Sequence, residues 1–309
     1  MLQIKNTLGG GKSSGLYVWK KCYNDTSHTF FDYIVSDKET TYPNGGEQGG
    51  YWYELFAGPP VKIVSWADGT DAEIVAMVNA ADNGLINLSD FWSVGDERKV
   101  TLSGMTATGV GESHVEQTAT FVLMNAGGKT LANATPSGRS ECSFIVGMKN
   151  VLANGTTGEH GYMNSSNTSS GGWESCARRK WCNSVFRNAI PSTLRDIFKQ
   201  HLNITASGSS TITAYITSTD YFALPAEMEV FGSVTYANQT VESNLTQFEY
   251  YKTSANRVKK AGDSGSANSW WERSLRSDKS GVFCQVFNDG SASSSPASFY
   301  RYFAPFGVI

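Results

Sequence analysis

The chain has 309 residues, a formal net charge of −3, 40% hydrophobic residues and only 17% charged residues. This length suits about two domains with packed cores, and the lack of a basic excess excludes binding to nucleic acid through its phosphates. Gly, Ser, Thr and Asn supply most of the polarity, a composition that favours strands and turns over long helices.

Residues 1–60 are predicted to form a small β module. Three aromatic and β-branched runs are typical of strands: 15–21, 30–35 and 50–55. The segment 42–47 is rich in turn residues and separates the last two runs. Gly58-Pro59-Pro60 then marks a boundary, so we expect a second domain over residues 61–309.

The sequence predicts a protein that does not insert into a membrane. Residues 1–6 lack the basic segment, followed by an apolar one, that begins a secretory signal. No apolar run approaches the roughly 20 residues that a membrane-spanning helix needs. We therefore expect a soluble protein that is made in the cytoplasm without a signal peptide.

The first predicted helix begins at a capping box. Thr70 is followed three residues later by Glu73, the spacing at which each side chain binds the other residue's backbone amide. Gly84 is the expected end of this helix. Apolar residues at helical spacing lie between them: Ile74, Val75, Val78 and Ala81.

The middle of the chain is predicted to form strands and few helices. The segments read as strands are 86–102 (with a tight turn), 121–124, 144–148 and 221–227, the last running into a turn. Polar loops are expected at 125–143 and 155–172. The main helix is predicted over 174–188, with one apolar stripe of Ala177, Trp181 and Val185 and a second of Cys182, Phe186 and Ala189.

A second helix is expected to start at Pro191, which suits the first turn of a helix. Its inward-facing residues are Leu194, Ile197 and Phe198. The chain then closes with strands and loops from Trp270 to Ile309. Together these elements predict the α+β class.

The cysteines and histidines predict neither a disulfide framework nor a metal site. The five cysteines are Cys22, Cys142, Cys176, Cys182 and Cys284. Their odd number argues against a framework, and buried free thiols are expected. Cys176 and Cys182 are six residues apart on the predicted helix and would point about 120° away from each other. The histidines show no metal-ligand spacing either: His28, His114, His160 and His201.

One short motif resembles a catalytic segment. Gly262-Asp263-Ser264-Gly265-Ser266 is similar to the nucleophile segment of trypsin-like proteases. None of the histidines lies in the Ala-Ala-His-Cys context that supplies the base in that family. We interpret the motif as a turn, and we predict a protein that is not an enzyme and needs no cofactor.

A set of motifs carries a resemblance to a known group of proteins. The motifs are Trp92-Ser93-Val94-Gly95-Asp96, Gly161-Tyr162-Met163-Asn164-Ser165-Ser166, Gly172-Trp173-Glu174-Ser175-Cys176, Phe222-Ala223-Leu224-Pro225-Ala226-Glu227, Trp270-Trp271-Glu272-Arg273-Ser274 and Ala304-Pro305-Phe306-Gly307. They resemble a domain of unknown function that is common in phages and prophages of gut bacteria. That domain is similar to C-type-lectin-fold proteins, including the variable proteins of diversity-generating retroelements that determine phage tropism.

The resemblance implies a C-type-lectin-like fold over residues 61–309, with a variable ligand-binding segment at about 268–309. A buried framework would carry the packing of that segment: Trp270, Trp271, Phe283, Cys284, Gly290, Ala292, Ala304, Pro305 and Phe306. The exposed ligand-binding candidates are Arg276, Ser277, Asp278, Lys279, Gln285, Phe287, Asp289, Ser294, Ser295, Phe299, Tyr300 and Arg301. Aromatic, arginine and small polar side chains are the types that adaptable binding surfaces use.

Two departures limit what the resemblance implies. The Glu-Pro-Asn or Gln-Pro-Asp motif of calcium-dependent lectins is missing, so no Ca²⁺-dependent sugar site and no metal are predicted. Lys279 and Gln285 are not reachable from an asparagine codon by adenine changes alone, which favours fixed residues at these two positions.

The resemblance implies a receptor-binding protein at the tail tip or fibre of a phage or prophage virion. Its expected partners are a bacterial surface protein or glycan and other tail proteins, through the N-terminal module. A homotrimer is expected by analogy, because display in several copies raises avidity. Two alternatives stay open: a structural tail or baseplate component, and an oxidase of the formylglycine-generating type, in which Cys284 would have to meet Cys176 or Cys182.

Overall fold

The computed structural model describes residues 17–24, 30–36, 46–48, 51–55, 62–106, 113–153, 161–208 and 214–309. The chain divides into two compact units. The first comprises Met1–Ser93 with Thr135–Arg139, and the second comprises Val94–Ala134 with Ser140–Ile309. The predicted N-terminal module of residues 1–60 lies in the first unit, which continues beyond the expected boundary.

An antiparallel sheet of four short strands forms the described part of the N-terminal segment. The strands are β1 (Tyr17–Tyr23), β2 (Phe30–Ser36), β3 (Gly46–Gln48) and β4 (Tyr51–Leu55), in the order β2-β1-β4-β3. Strands β1, β2 and β4 coincide with the three predicted runs, so the prediction of β-structure in this segment is confirmed.

The first helix, α1, runs over Asp71–Asp82 and starts at the predicted capping box. Thr70 Oγ1 accepts a hydrogen bond from the Glu73 amide at 3.3 Å, and Glu73 Oε2 accepts one from the Thr70 amide at 2.8 Å. Ile74 and Val78 are buried as expected, whereas Val75 is only half-buried. The helix ends before Gly84, whose φ of +73° is a left-handed conformation that glycine adopts without strain.

The segment 86–102 departs from its prediction in its first half. Residues Leu88–Asp90 form a 3₁₀ turn in the first unit, because the Asn87 side chain accepts a hydrogen bond from the Ser89 amide. A strand forms only over the second half, β5 (Glu97–Leu102), in the second unit. Short polar side chains favour such caps and turns over extended structure.

A five-stranded antiparallel sheet forms the centre of the second unit. Its strands are β5, β6 (Gln117–Ala126), β7 (Phe144–Met148), β10 (Phe222–Ala223) and β16 (Phe306–Val308), in the order β10-β16-β7-β6-β5. The two predicted apolar runs, 121–124 and 144–148, are buried strands, as expected. Strand β16 lies between β10 and β7, so the last residues of the chain belong to the core.

The main helical segment contains a π turn. It consists of α2 (Ala177–Trp181), a π-helical turn over Cys182–Phe186 and α3 (Arg187–Ala189). The wider turn brings Trp181 and Phe186 to the same buried side, with ring centroids 5.8 Å apart. Of the two predicted stripes, Cys182, Phe186 and Ala189 are buried with Trp181, whereas Ala177 and Val185 are half-buried.

Short helices and hairpins complete the second unit. They are α4 (Ser192–Arg195), β8 (His201–Ala206), β9 (Tyr215–Asp220), α5 (Glu227–Phe231), α6 (Gln239–Glu242), α7 (Glu249–Lys252), a 3₁₀ turn (Ser254–Arg257), β11 (Lys259–Lys260) and β12 (Ala267–Asn268). Helix α4 follows Pro191, and Leu194, Ile197 and Phe198 are buried, as predicted. The turn expected after β10 is instead the start of α5.

The C-terminal segment builds a second antiparallel sheet. Its strands are β13 (Trp270–Leu275), β14 (Val282–Val286) and β15 (Ala292–Pro296), with β14 in the middle. Every residue of β13 and β14 is buried. The mixture of separate antiparallel sheets and short helices confirms the α+β class.

Candidate ligand-binding surface

The predicted framework of the C-terminal segment is buried. Both tryptophans of β13 are inaccessible, and their indole nitrogens donate to backbone carbonyls: Trp270 to Arg257 at 2.9 Å and Trp271 to Gly161 at 2.9 Å. The other buried framework residues are Phe283, Cys284, Gly290, Ala304, Pro305 and Phe306, whereas Ala292 is half-buried. A frame with fixed polar contacts of this kind holds the loops between its strands in place.

Ten of the twelve predicted ligand-binding residues reach the surface. Six are exposed (Asp278, Lys279, Phe287, Asp289, Phe299 and Tyr300), and four are half-buried (Arg276, Ser277, Ser294 and Arg301). Gln285 and Ser295 are buried, with exposed fractions of 2% and 3%, so the prediction of exposure is wrong for these two. Gln285 lies on the middle strand, where its amide donates to Ser293 Oγ at 3.1 Å, and Ser295 pairs with buried Phe283.

The surface candidates do not form one patch. Strand pairing places Cys284 opposite Ser294 and Gln285 opposite Ser293, and successive side chains of a strand point to opposite faces. Arg276 Nη1 donates to Ser294 Oγ at 2.9 Å on the first face. On the second face, Arg301 Nε donates to Gln285 Oε1 at 2.7 Å. The two arginines therefore belong to separate groups.

The group on the second face contains three aromatic residues and one arginine: Tyr162, Phe299, Tyr300 and Arg301, here called the aromatic surface. Phe299 and Tyr300 are each 48% exposed. The Tyr162 and Tyr300 rings meet edge to face, with centroids 5.7 Å apart, and the Arg301 guanidinium lies 5.8 Å from the centroid of Phe299. Tyr162 is not among the predicted ligand-binding residues, although it belongs to the Gly161–Ser166 motif that carries the resemblance.

Backbone contacts fix the aromatic surface to the frame. The amides and carbonyls of Gly161 and Arg301 exchange two hydrogen bonds of 3.1 Å, and the Trp271 indole donates to the Gly161 carbonyl. Arg301 thus connects the exposed rings to the buried frame through both its main chain and its side chain. Such pre-positioning lowers the entropy that is lost when a ligand binds.

The charge of Arg301 is not neutralised by a carboxylate of the described residues. Its Nε donates to Gln285 and its Nη1 to the Tyr300 carbonyl at 2.8 Å, both neutral acceptors. Burial lowers the pKa of this guanidinium from its usual value. An arginine between aromatic rings with uncompensated charge suits anionic or π-rich ligand groups.

The group on the first face is already paired within the protein. Arg276 Nε and Nη2 donate to the two Asp278 oxygens at 2.6 and 3.1 Å, and its guanidinium lies 5.0 Å from the Tyr236 ring centroid. The Asp278 contact raises the pKa of Arg276, and the Arg276 contact lowers the pKa of Asp278. A ligand would have to compete with this ion pair, which makes the first face a weaker candidate.

Of the remaining candidates, Ser277 and Lys279 lie between β13 and β14, and Phe287 and Asp289 lie at the turn between β14 and β15. Asp289 Oδ1 accepts hydrogen bonds from the amide and the hydroxyl of Ser291, at 2.9 and 2.6 Å, and Gly290 has a φ of +85°. Phe287 is 44% exposed and follows Gln285 by two residues. This turn therefore presents the Phe287 ring near the Asp289 carboxylate, which is already hydrogen-bonded within the same turn.

Beneath the C-terminal sheet lies a buried ionic network that the sequence did not predict. Arg273 forms a bidentate ion pair with Glu229, at 2.5 and 2.8 Å, and Lys129 also contacts Glu229. Burial opposes ionisation of Glu229, but the charges of Arg273 and Lys129 outweigh it and lower its pKa to about 2. Burial lowers the pKa of Lys129 to about 8. The network ties α5 to β13 and supports the frame.

The described cysteines are buried, as predicted: Cys142, Cys176, Cys182 and Cys284. Burial raises the pKa of Cys176 to about 11 and that of Cys284 well above its usual value. The side chain of Cys22 lies outside the described residues, as do His28 and His160. His114 and His201 are packed in the interior, and the motif at Gly262–Ser266 is a turn, as expected.

The described ranges contain neither a metal-binding cluster nor a membrane-spanning helix. No group of three or more His, Cys, Asp or Glu side chains is arranged to hold a metal ion there. None of the helices in those ranges has the length and apolar character to cross a bilayer.

Comparisons with curated proteins and with solved structures gave no match. The model of one family matches residues 145–304, a segment of 160 residues that covers just over half of the 309-residue chain and spans β7 to β15 and the aromatic surface. The chain therefore belongs to the family described as domain of unknown function DUF6273.

Proposed function

We propose that this protein is a receptor-binding protein of a phage or prophage tail, which attaches to a bacterial surface protein or glycan through the aromatic surface. The observation that carries the proposal is the pair of exposed rings, Phe299 and Tyr300, held beside Arg301 on a buried tryptophan frame. The proposal includes a C-type-lectin-like fold for the second unit and attachment to other tail proteins through the N-terminal module.

The chemistry of the aromatic surface favours recognition. Tyrosine and arginine are enriched among the residues that dominate binding energies, because they offer large rigid areas together with hydrogen-bonding groups. The rings are pre-positioned by contacts between Arg301 and the frame. A homotrimer would present three such surfaces, and simultaneous binding would raise the avidity of weak single contacts.

The thiol chemistry gives little support to the oxidase alternative. Reactive cysteines need a lowered pKa and some exposure, whereas Cys176 and Cys284 are inaccessible and have raised pKa values. The Cys176 thiol is also bound to the Met163 carbonyl, with a Sγ–O distance of 3.0 Å. A structural tail component stays a competing function that the binding experiment separates.

The test is a binding assay of the purified full-length protein against a panel of gut bacterial cells and a glycan array. The variant Phe299→Ala/Tyr300→Ala is expected to reduce binding at least tenfold, since loss of one such anchor costs about 2 kcal/mol. The matched control is Tyr215→Ala, which removes a 62% exposed ring elsewhere on the same unit and should leave binding unchanged.

Three outcomes would contradict the proposal. The wild-type protein could bind no member of the panel, the double variant could bind as well as wild type, or Tyr215→Ala could weaken binding equally. Circular dichroism of both variants separates loss of binding from loss of folding. If the double variant failed to assemble into tails but host attachment stayed intact, that result would favour the structural alternative.

A further inference from the structure

A polar cleft of about 450 Å³ lies in the second unit, lined by a different set of residues from the aromatic surface. Its charged and amide lining comes from four segments: Glu97 and Lys99 on β5, Lys149 and Asn150 after β7, Asn256 in the 3₁₀ turn, and Lys260 with Asp263 around β11. The volume falls within the range of about 300–1,000 Å³ that is usual for small-molecule sites. None of these residues has a role in the proposed receptor binding.

The Asp263 carboxylate of the cleft is held in place by hydrogen bonds. Asp263, from the Gly-Asp-Ser-Gly-Ser turn, accepts hydrogen bonds from Thr120 Oγ1 at 3.2 Å and from Asn150 Nδ2 at 3.2 Å. Thr120 itself lies opposite Lys99 in the β5–β6 pairing. The carboxylate is thus oriented by neutral donors and keeps its charge and further acceptor capacity for a ligand.

The basic groups of the cleft exceed the acidic ones. Lys149 pairs with Glu97 at 2.7 Å, so these two charges cancel. The ammonium groups of Lys99 and Lys260 form no ion pair with a described residue, and only Asp263 opposes them. The lining therefore has a net charge of +1, from three lysines and two carboxylates.

A further lysine lies next to the cleft in the chain. Lys259 is fully buried between Val258 and Lys260, both of which line the cleft. Its Nζ donates to the carbonyls of Met148 and Lys149, at 2.7 and 2.9 Å, and no carboxylate in the described part of the chain forms an ion pair with it. Burial lowers the pKa of Lys259 to about 7, and an anion bound in the cleft would favour its protonated form.

We propose that this cleft binds a single sugar unit that carries one anionic group, as a uronate or a sugar phosphate. The anionic group would bind Lys99 and Lys260. The ring hydroxyls would donate to Asp263 and to Asn256 Oδ1, whose amide nitrogen is already used on the Tyr250 carbonyl at 2.8 Å. A bare anion would meet the Asp263 carboxylate without hydroxyl groups to satisfy it, so a polyhydroxylated ligand fits better than phosphate alone.

The test is a titration of the full-length protein with D-glucuronate, D-glucose 6-phosphate, D-glucose and inorganic phosphate, followed by calorimetry and saturation-transfer NMR. At least one of the two charged sugars is expected to bind at least about tenfold more tightly than glucose or phosphate, since a charge-assisted hydrogen bond contributes about that factor. The stronger of the two identifies the anionic group.

Variants assign the binding to the cleft. Lys260→Gln removes an unpaired ammonium and should weaken binding of the preferred sugar about tenfold. Lys252→Gln is the matched control, because Lys252 is exposed outside the cleft and pairs with Glu249. Binding unchanged in Lys260→Gln, glucose or phosphate bound as tightly as the charged sugars, or no binding of either charged sugar would each overturn the proposal.

Discussion

At the scale of single residues, Glu272 is the least satisfied polar group of the C-terminal sheet. Its side chain is inaccessible, and neither carboxyl oxygen has a hydrogen-bond partner. Burial, and then the nearby Glu227 and Glu242 carboxylates, raise its pKa well above the usual value. Burial thus favours the neutral carboxyl group, which still lacks a hydrogen-bond partner and so costs stability.

Replacing Glu272 with methionine is expected to stabilise the protein. The change Glu272→Met removes an unsatisfied buried group at similar volume and should raise the free energy of unfolding at pH 7 by about 1–2 kcal/mol. Urea unfolding followed by circular dichroism measures this value. The matched control is Glu227→Met, expected to lower stability, because Glu227 Oε2 accepts from the Tyr236 and Ala237 amides at 2.9 and 2.7 Å and methionine leaves both donors without that acceptor. A less stable Glu272→Met protein would refute this account.

In the C-terminal segment, the sequence predicts strands better than it predicts which side chains are exposed. The aromatic and apolar residues of 270–309 were enough to predict strands and most of the buried frame. The predicted exposure of Gln285 and Ser295 is wrong because β14 is covered on both faces and Ser295 of β15 pairs with buried Phe283. Alternation in one strand does not reveal what lies on its polar side. The aromatic surface depends on Tyr162, which is distant in the chain and joins Tyr300 only through tertiary contacts.

At the scale of elements, local signals explain which predictions succeeded. The sequence around helix α1 contains a capping box, apolar residues at helical spacing and a glycine after the end of the helix. Strands β6 and β7 contain continuous apolar runs. Helix α5 was missed because its first residues follow Pro225, and its capping interaction comes from Glu229, whose Oε2 accepts from the Ala226 amide at 2.9 Å. The π turn was missed because nothing in the sequence marks a five-residue repeat within an ordinary helical pattern.

The capping box of α1 provides a test at this scale. The change Thr70→Ala removes the acceptor of the Glu73 amide and is expected to lower the stability of the first unit by about 1 kcal/mol. Hydrogen exchange of amides in α1 measures the effect locally. Thr70→Ser keeps the hydroxyl and should restore most of the protection, while equal protection in wild type and Thr70→Ala would contradict the capping role.

At the scale of the whole molecule, the second unit holds an unusual number of buried ionisable groups in one region. Lys129, Glu229 and Arg273 compensate one another, and Glu227 and Glu242 lie close enough to raise the pKa of Glu272. Such groups make the folded state dependent on pH, because their protonation differs from that of the unfolded chain. The pH dependence of stability therefore reports on this interior rather than on the surface.

Glu242 is one of the buried carboxyl groups that shape the expected profile between pH 4.5 and 7. Burial raises its pKa from 4.5 to about 7, although Ser274 Oγ and the Met228 amide donate to it. Because the unfolded chain releases this proton first as pH rises, the contribution of Glu242 to stability is complete below pH 4.5. It is lost progressively up to pH 7, by about 3 kcal/mol in total.

Urea unfolding at a series of pH values between 4.5 and 7 checks this expectation, with Glu242→Gln as the comparison. The variant does not titrate and should have a flatter profile, so that the difference in stability between it and wild type changes steadily across the interval. Parallel profiles would show that Glu242 keeps an ordinary pKa in the folded protein. Glu249→Gln is the control, since that carboxylate is exposed and pairs only with Lys252 at the surface, and its profile should match wild type.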